Sequence, residues 1–126
     1  MQIYSHDSPE AIAYKNNYIE LENWIGHLNY VEKEIINLIN LGNTELTTSF
    51  IIQPVLTKLE RKKEENKLQL LALSRYKDDL PKAAECEDVE CDMFYVTEHE
   101  KFRNDYLKHL DKYRNIKEEY FSVLMK

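Results

Sequence analysis

The C-terminal third of the chain carries a row of side chains that repeats every seven residues. The steps along this row alternate between four and three residues, which places every member on one face of a single long helix. The members are Tyr95, His99, Phe102, Tyr106, His109, Tyr113, Ile116, Tyr120 and Val123. Tyrosine and histidine dominate this seam, where leucine and isoleucine are usual. Additional apolar residues beside it predict contact with more than one neighbouring helix.

The first part of the chain shows the same heptad spacing. Ser8-Pro9-Glu10 is typical of a helix start, because a serine cap precedes proline and an acidic residue in the first turn. Gly42 can adopt the conformation that ends a helix. The apolar members between them are Ala11, Tyr14, Tyr18, Leu21, Ile25, Leu28, Ile35 and Ile39. The pattern therefore predicts a first helix over residues 8–41.

A second helix is predicted over residues 44–76, with a break or kink near Pro54, because proline removes a backbone donor. The alternative is a main helix that begins near Gln53. Residues 77–91 then form the longest connection, since Asp78–Pro81 breaks the helical pattern. A third helix follows over residues 92–125.

Few turns and long elements are expected, because the 126 residues include only two glycines and three prolines. Three long helices with short links favour neighbouring helices that run in opposite directions. The sequence therefore predicts an all-α fold: one domain over residues 1–126, an elongated three-helix antiparallel bundle with up-down-up topology and heptad-like packing.

Charge and hydropathy exclude several classes of function. The net charge is −6, and 17 basic residues are interleaved with 23 acidic ones, so no cationic patch for nucleic acid is expected. No apolar run approaches the ~20 residues that a membrane helix needs. The N-terminal residues lack the basic and apolar blocks of a secretory signal. We therefore expect a cytoplasmic protein without a membrane or nucleic-acid partner.

The predicted second helix has a polar gap in its inner face. The spacing gives Ile52, Leu56, Leu59, Lys63, Asn66, Leu70 and Leu73 as its members, of which the middle two are polar. If the first two helices fold back at residues 42–43, the numbers of facing residues sum to about 85. Lys63 and Asn66 then lie level with Trp24 on the first helix and near His99 on the third.

Two interpretations of this polar layer remain open. In the first, the layer is structural: the stem of Lys63 packs on the rings, and His99 shares hydrogen bonds with Asn66. In the second, the second helix is displaced, so that aromatic side chains line a groove for a partner helix or an apolar ligand. The candidate site residues are Tyr18, Glu22, Trp24, Lys63, Asn66, His99, Phe102, Tyr106 and His109.

The two cysteines do not form a metal motif. Cys86 and Cys91 are five residues apart, which points them to different faces of a helix, although in a loop they could pair. Free thiols in a reducing compartment are the expectation. None of the four histidines has a glutamate three residues before it, which argues against a di-iron bundle. No metal or other cofactor is predicted.

Two resemblances follow from particular residues. His109-Leu110-Asp111-Lys112 is similar to the motif of histidine phosphotransfer domains, in which an exposed histidine is followed by lysine three residues on and then by glycine; here Tyr113 replaces the glycine. This resemblance implies a phosphorelay role as a remote alternative. The three long helices with a tryptophan in the first also resemble the plan of a spectrin repeat.

The sequence carries no catalytic motif, so an enzyme is not expected. The predicted function is a non-catalytic helical scaffold or protein–protein interaction module. The partner is an unknown protein or a second copy of the chain, because tyrosine suits half-buried contact surfaces. The alternative is a bundle that binds a small ligand or metal around the polar layer.

Overall fold

The computed structural model describes residues 9–44 and 50–125. Its elements are α1 (Pro9–Gly42), α2 (Gln53–Asp79), a short 3-10 helix (Leu80–Glu85) and α3 (Val89–Leu124). The described residues contain no strand. The prediction of an all-α three-helix bundle is confirmed.

Hydrogen bonds and ion pairs between helices give their relative directions. Asn66 of α2 bonds to Leu28 of α1, while Lys77, further along α2, meets Glu22, which lies earlier on α1. These two helices are therefore antiparallel.

The third helix reverses direction again. Tyr76 near the end of α2 bonds to His99 near the start of α3, and Lys58 near the start of α2 bonds to Glu119 near the end of α3. Since α2 is antiparallel to both of its neighbours, α1 and α3 run parallel, as up-down-up topology requires.

The contact between α1 and α2 is aliphatic and close. Leu28 and Ile35 of α1 and Leu59 and Leu73 of α2 are 0% exposed. Burial of each such side chain contributes about 1.5–3 kcal/mol. In contrast, Cα atoms of α1 and α3 rarely approach within 8 Å of each other. The long side chains of α3 fill the space between these two helices.

The second helix begins at Gln53, as the alternative prediction had it, and not at residue 44. Pro54 lies in the first turn, where a backbone N–H has no helical partner, so it starts the helix instead of kinking it. Residues 45–49 of the predicted second helix and the predicted cap at Ser8 lie outside the described residues.

The third helix begins at Val89, three residues before the predicted start at Asp92. Asp88 provides the cap, because its Oδ1 accepts a hydrogen bond from the backbone N–H of Cys91 at 2.8 Å. Part of the predicted loop is therefore helical: α2 continues to Asp79 and the 3-10 helix follows.

Cys86 and Cys91 form a disulfide, and the prediction of free thiols is wrong. Cys86 has extended backbone before α3, whereas Cys91 lies in the first turn of α3. This break in the helix brings the two Cα atoms to 5.5 Å, a separation that a disulfide spans.

None of the helices in the described part of the chain combines the length and the apolar character that a membrane span requires.

Candidate functional site

The polar layer forms, but its lysine is Lys62 and not Lys63. Lys62 is 1% exposed, whereas Lys63 is partly exposed and pairs with Glu60 at 3.2 Å. One residue turns a helix by about 100°, so neighbouring lysines face different surroundings. The sequence did not distinguish Lys62 from Lys63. Lys62 lies three residues after Leu59 and Lys63 lies four, and the heptad spacing continues from either one to Asn66.

The register between α1 and α2 also differs from the prediction. Asn66 faces Leu28 and not a residue near position 19. The reason is the longer link between Gly42 and Gln53, which moves the centre of the turn toward the C-terminus. As a result, His109 and not His99 lies beside Asn66.

Asn66 is fully buried, and its side-chain amide forms hydrogen bonds with α1 and with α3. Its Nδ2 donates to the backbone oxygen of Leu28 at 2.9 Å, so its Oδ1 accepts from Nε2 of His109 at 2.8 Å. This fixes the neutral tautomer of His109, with the proton on Nε2 and a lone pair on Nδ1. Burial, and then the nearby Lys62 and Lys112, lower the pKa of His109 to about 4.

Three hydrogen-bonded pairs join α1 to α3, and the partners in each pair are 79 residues apart. Nε2 of His99 bonds to Glu20 at 2.8 Å, the hydroxyl of Tyr106 bonds to Nδ1 of His27 at 2.6 Å, and the hydroxyl of Tyr113 donates to Glu34. We call these six residues the polar ladder. The ladder accounts for His99, Tyr106 and Tyr113 of the seam, because their polar ends reach across a wide helix separation.

The first pair of the ladder also includes a guanidinium. Arg103 donates from Nε and Nη2 to the two oxygens of Glu20 at 2.8 and 2.7 Å. The hydrogen bond from Arg103 is the main reason that the pKa of Glu20 falls to about 2; burial opposes this shift, and His99 adds to it.

The last pair of the ladder has a matching cation. Lys117 donates to Glu34 at 2.8 Å. Burial raises the pKa of Glu34, but the hydrogen bonds from Lys117 and Tyr113 outweigh it, so the pKa lies below its usual value. Each end of the ladder therefore has a cation on its carboxylate, and at the Glu20 end Arg103 also pairs with Glu100.

His99 connects all three helices. Its Nε2 donates to Glu20 of α1, and its Nδ1 lies 2.6 Å from the hydroxyl of Tyr76 of α2. A hydroxyl that is hydrogen-bonded to an imidazole, which a carboxylate orients in turn, can act as a catalytic nucleophile. Here Tyr76 and His99 are only 5% and 2% exposed, and burial raises the pKa of Tyr76. The arrangement therefore supports the helices and leaves no reactive hydroxyl open to a substrate.

The four aromatic residues predicted to line a groove are distributed over the interior and its edge. Trp24 stacks between His99 and Tyr106, with ring centroids 5.0 and 5.4 Å away. Phe102 stacks on Tyr76 at 4.3 Å. Trp24 and Tyr106 are buried, so these rings form packing between helices instead of an open groove.

Tyr18 and Glu22, the remaining two candidate site residues, lie near the surface. The ammonium of Lys77 lies 5.6 Å from the ring centroid of Tyr18 and 3.5 Å from a carboxylate oxygen of Glu22. Glu22 is exposed, so this ion pair contributes little to stability.

A cavity of about 330 Å³ opens between α2 and α3, and we call it the Lys62 pocket. It is lined by Lys62, Glu65, Leu68, Gln69, Ala72, Asp105, Lys108, His109 and Lys112. Burial lowers the pKa of Lys62; the nearby Lys112 also lowers it, while Glu65 opposes the shift. The contacts of residues 9–44 and 50–125 give the Lys62 ammonium no hydrogen bond or ion pair.

A second surface lies where α3 adjoins α1. Val89 and Val96 occupy the same heptad position as Arg103, which reaches across to α1. Val96 also lines a cavity with Ala13 and Asn17 of α1. We define the α1–α3 face by its exposed apolar residues: Ile12, Ile19 and Tyr30 on α1, and Val89, Met93, Val96 and Leu107 on α3.

No protein-family model matches the chain, and no curated protein or solved structure is significantly similar to it. In the ranges that the structure describes, no group of three or more histidine, cysteine or acidic residues is arranged to hold a metal ion.

Proposed function

We propose that the protein is a non-catalytic interaction module that binds an amphipathic helix of a partner protein along the α1–α3 face. One observation carries the proposal: Val89, Met93 and Val96 are 74%, 55% and 51% exposed on consecutive turns of α3. Exposed apolar side chains in a row are typical of interaction sites.

The geometry of the face supports a helical partner. Val89, Met93 and Val96 follow the i, i+4, i+7 spacing of anchors between packed helices. Because α1 and α3 run parallel, another helix can pack across the outer face that the two helices share. The exposed Ile12 and Ile19 of α1 provide apolar contacts on the opposite edge.

The charges of the face support the chemistry proposed for the partner. Glu34 is neutralised by Lys117, whereas Arg103 is shared by Glu20 and the exposed Glu100. A partner therefore needs at most one basic residue beside its contact stripe, which we propose to be apolar with polar residues facing water. The net charge of −6 and the interleaved signs favour a protein over a nucleic acid.

Three of the four tyrosines of α3 are occupied inside the bundle, and Tyr95 is half-buried. Tyr106, Tyr113 and Tyr120 are buried and bond to His27, Glu34 and the backbone of Leu38. If the protein forms a homodimer, its interface has to use the exposed apolar residues. The following test includes this possibility as one of its outcomes.

The test selects helical peptides from a display library against the native protein and measures their affinity for two variants. Val96→Asp places a charge on the α1–α3 face, and Leu71→Asp places one at a similarly exposed apolar site on α2, since the two residues are 51% and 47% exposed. We expect at least about tenfold weaker binding for Val96→Asp only, because a buried unpaired charge is costly. Circular dichroism checks that both variants fold.

Two results would contradict this proposal. Equal affinities for Val96→Asp and Leu71→Asp would place the binding elsewhere. A dimer in sedimentation velocity that Val96→Asp dissociates would make a second copy, and not a partner helix, the occupant of the face.

The cytoplasmic location stays a proposal, and the Cys86–Cys91 disulfide counts against it and provides its test. Disulfides persist in oxidising compartments and are rare in the cytosol. If the protein is cytoplasmic, alkylation of living cells before lysis traps both cysteines as thiols. Full protection from the alkylating reagent would contradict the proposed location.

A further inference from the structure

We propose that the Lys62 pocket binds a small organic monoanion, with a carboxylate head at Lys62 and Lys112 and a short apolar tail. The pocket opens between α2 and α3, whereas the α1–α3 face lies on another side of the bundle. This site is therefore independent of the proposed partner helix.

Lys62 is the first argument. Its side chain is 1% exposed and lines the pocket, yet its ammonium has no hydrogen bond or ion pair among the described residues. Burial of this cation is costly and only the charge of Glu65 offsets it, so a bound anion lowers the cost. Lys63, the next residue, is partly exposed and has its own acid, Glu60, so the two neighbouring lysines differ in burial and in pairing.

The charge of the pocket is the second argument. Three lysines line it, Lys62, Lys108 and Lys112, together with the two acids Glu65 and Asp105. His109 also lines it and is neutral at pH 7, because its pKa is about 4. One positive charge is left over, which matches a monoanion. The two acids would repel a ligand that carries several negative groups.

The wall of the pocket is the third argument. Leu68 and Ala72 supply apolar surface, and Gln69 supplies an amide. Leu68 is 67% exposed, so a ligand tail that packs on it would remove apolar surface from water. A volume of about 330 Å³ is at the small end of ligand pockets, which favours a head with a tail of a few carbons.

The experiment titrates the protein with sodium butyrate and, separately, with inorganic phosphate at constant ionic strength, and follows the Lys62, His109 and Lys112 signals by NMR. Butylamine is the cationic control. Lys62→Met removes the charge and keeps most of the volume, and Lys67→Met is the matched control, because Lys67 is exposed and pairs with Glu64 on the same helix. Lys112→Ala changes an exposed residue, so its fold is retained.

We expect saturable binding of butyrate, weakened at least about tenfold by Lys62→Met, weakened less by Lys112→Ala and unchanged by Lys67→Met. Saturation by phosphate alone would overturn the choice of a monoanion with an apolar tail. No saturation by about 50 mM butyrate, or equal affinity in Lys62→Met, would overturn the proposal. Saturation by butylamine with the same shifts would overturn it as well.

Discussion

The first helix makes two contacts of opposite character. Toward α2 it presents leucine and isoleucine in close packing, and toward α3 it presents the polar ladder across a wider gap. The close contact removes apolar surface from water, which is the main source of stability. The ladder removes less apolar surface, but its hydrogen bonds have direction and defined partners. The difference teaches that one helix can obtain its stability from one face and its alignment from another.

Alignment is needed because a heptad pattern tolerates slippage. If α3 moved by one heptad, aromatic rings would still replace aromatic rings in the interior, because His99, Tyr106, Tyr113 and Tyr120 share one heptad position. In the ladder, Tyr106 would then meet Glu34, and Arg103 would meet His27 instead of Glu20. Arg103 would lose the carboxylate that holds it, so the shifted register is unfavourable.

The largest expected effect comes from a substitution in the aliphatic contact between α1 and α2. Leu59→Ala removes a side chain that is 0% exposed, and we expect a loss of about 3 kcal/mol in the free energy of unfolding, from lost burial and the cavity left behind. Urea unfolding measures it. Leu71→Ala, at an exposed position of the same helix, is the control and should change stability by less than about 0.5 kcal/mol. A loss below about 1 kcal/mol for Leu59→Ala would contradict the role given to this contact.

Acidification should lower the free energy of unfolding in two pH ranges, an upper one set by His109 and a lower one set by Glu20. The pKa of His109 is depressed from 6.5 to about 4, so the unfolded chain binds a proton in this range that the folded chain does not. Stability contributed by neutral His109 is therefore present above pH 6.5 and is lost as the pH falls to 4, by roughly 3 kcal/mol. Urea unfolding at pH 7 and pH 4 measures this loss.

The variant His109→Gln sharpens the same measurement, because glutamine keeps an N–H for Asn66 and cannot titrate in this range. Its pH profile should be flatter between 6.5 and 4. The ladder responds in a lower window: the pKa of Glu20 falls from 4.5 to about 2, so its contribution is present above 4.5 and is lost as the pH falls through 2. An unchanged profile in His109→Gln would contradict the assignment of the upper window.

A smaller effect tests the ladder itself. Glu20→Gln removes the charge that Arg103 and His99 share, and we expect a loss of about 1–2 kcal/mol in the free energy of unfolding. Glu22→Gln is the control, since its ion pair with Lys77 at 3.5 Å is exposed, and it should lie within about 0.5 kcal/mol of the native protein. Equal losses in the two variants would show that the ladder adds nothing beyond surface charge.

The smallest effect compares two hydroxyls on one carboxylate. Tyr113 and Tyr30 both donate to Glu34, but Tyr113 is 3% exposed and Tyr30 is 60% exposed. Tyr113→Phe should lower the free energy of unfolding by about 1 kcal/mol, and Tyr30→Phe should leave it almost unchanged, because water replaces the exposed hydrogen bond. Denaturant titrations of the two variants, side by side, decide this. A larger loss in the free energy of unfolding for Tyr30→Phe than for Tyr113→Phe would contradict this prediction.

Periodicity was sufficient for the fold and for the inner face of α3. Tyr106, His109, Tyr113 and Tyr120 are buried as their spacing predicted, because heptad positions fix which side chains share a face. The number and the approximate bounds of the helices followed from the same pattern and from the scarcity of glycine and proline.

Register and partners could not be derived in this way. The alignment of α1 with α2 depends on the length of the link before Gln53, and Pro54 allowed two starts for α2. In the polar gap between Leu59 and Asn66, no apolar residue distinguished Lys62 from Lys63. The disulfide depended on a break in the helix that spacing alone does not reveal.

The wide sequence separation of the ladder has a consequence for the order of folding. Each ladder pair closes a loop of 79 residues, whereas the bond from Asn66 to Leu28 closes one of 38. The bond from Tyr76 to His99 closes a loop of only 23 residues. Doubling a loop costs about 0.6 kcal/mol of chain entropy, so the contacts of α2 with both neighbours should form first and the ladder between α1 and α3 should close last. Tyr113→Phe should then speed unfolding and leave the folding rate almost unchanged. Until the ladder closes, the facing sides of α1 and α3 are uncovered, and newly made chains are most prone to aggregate in that interval.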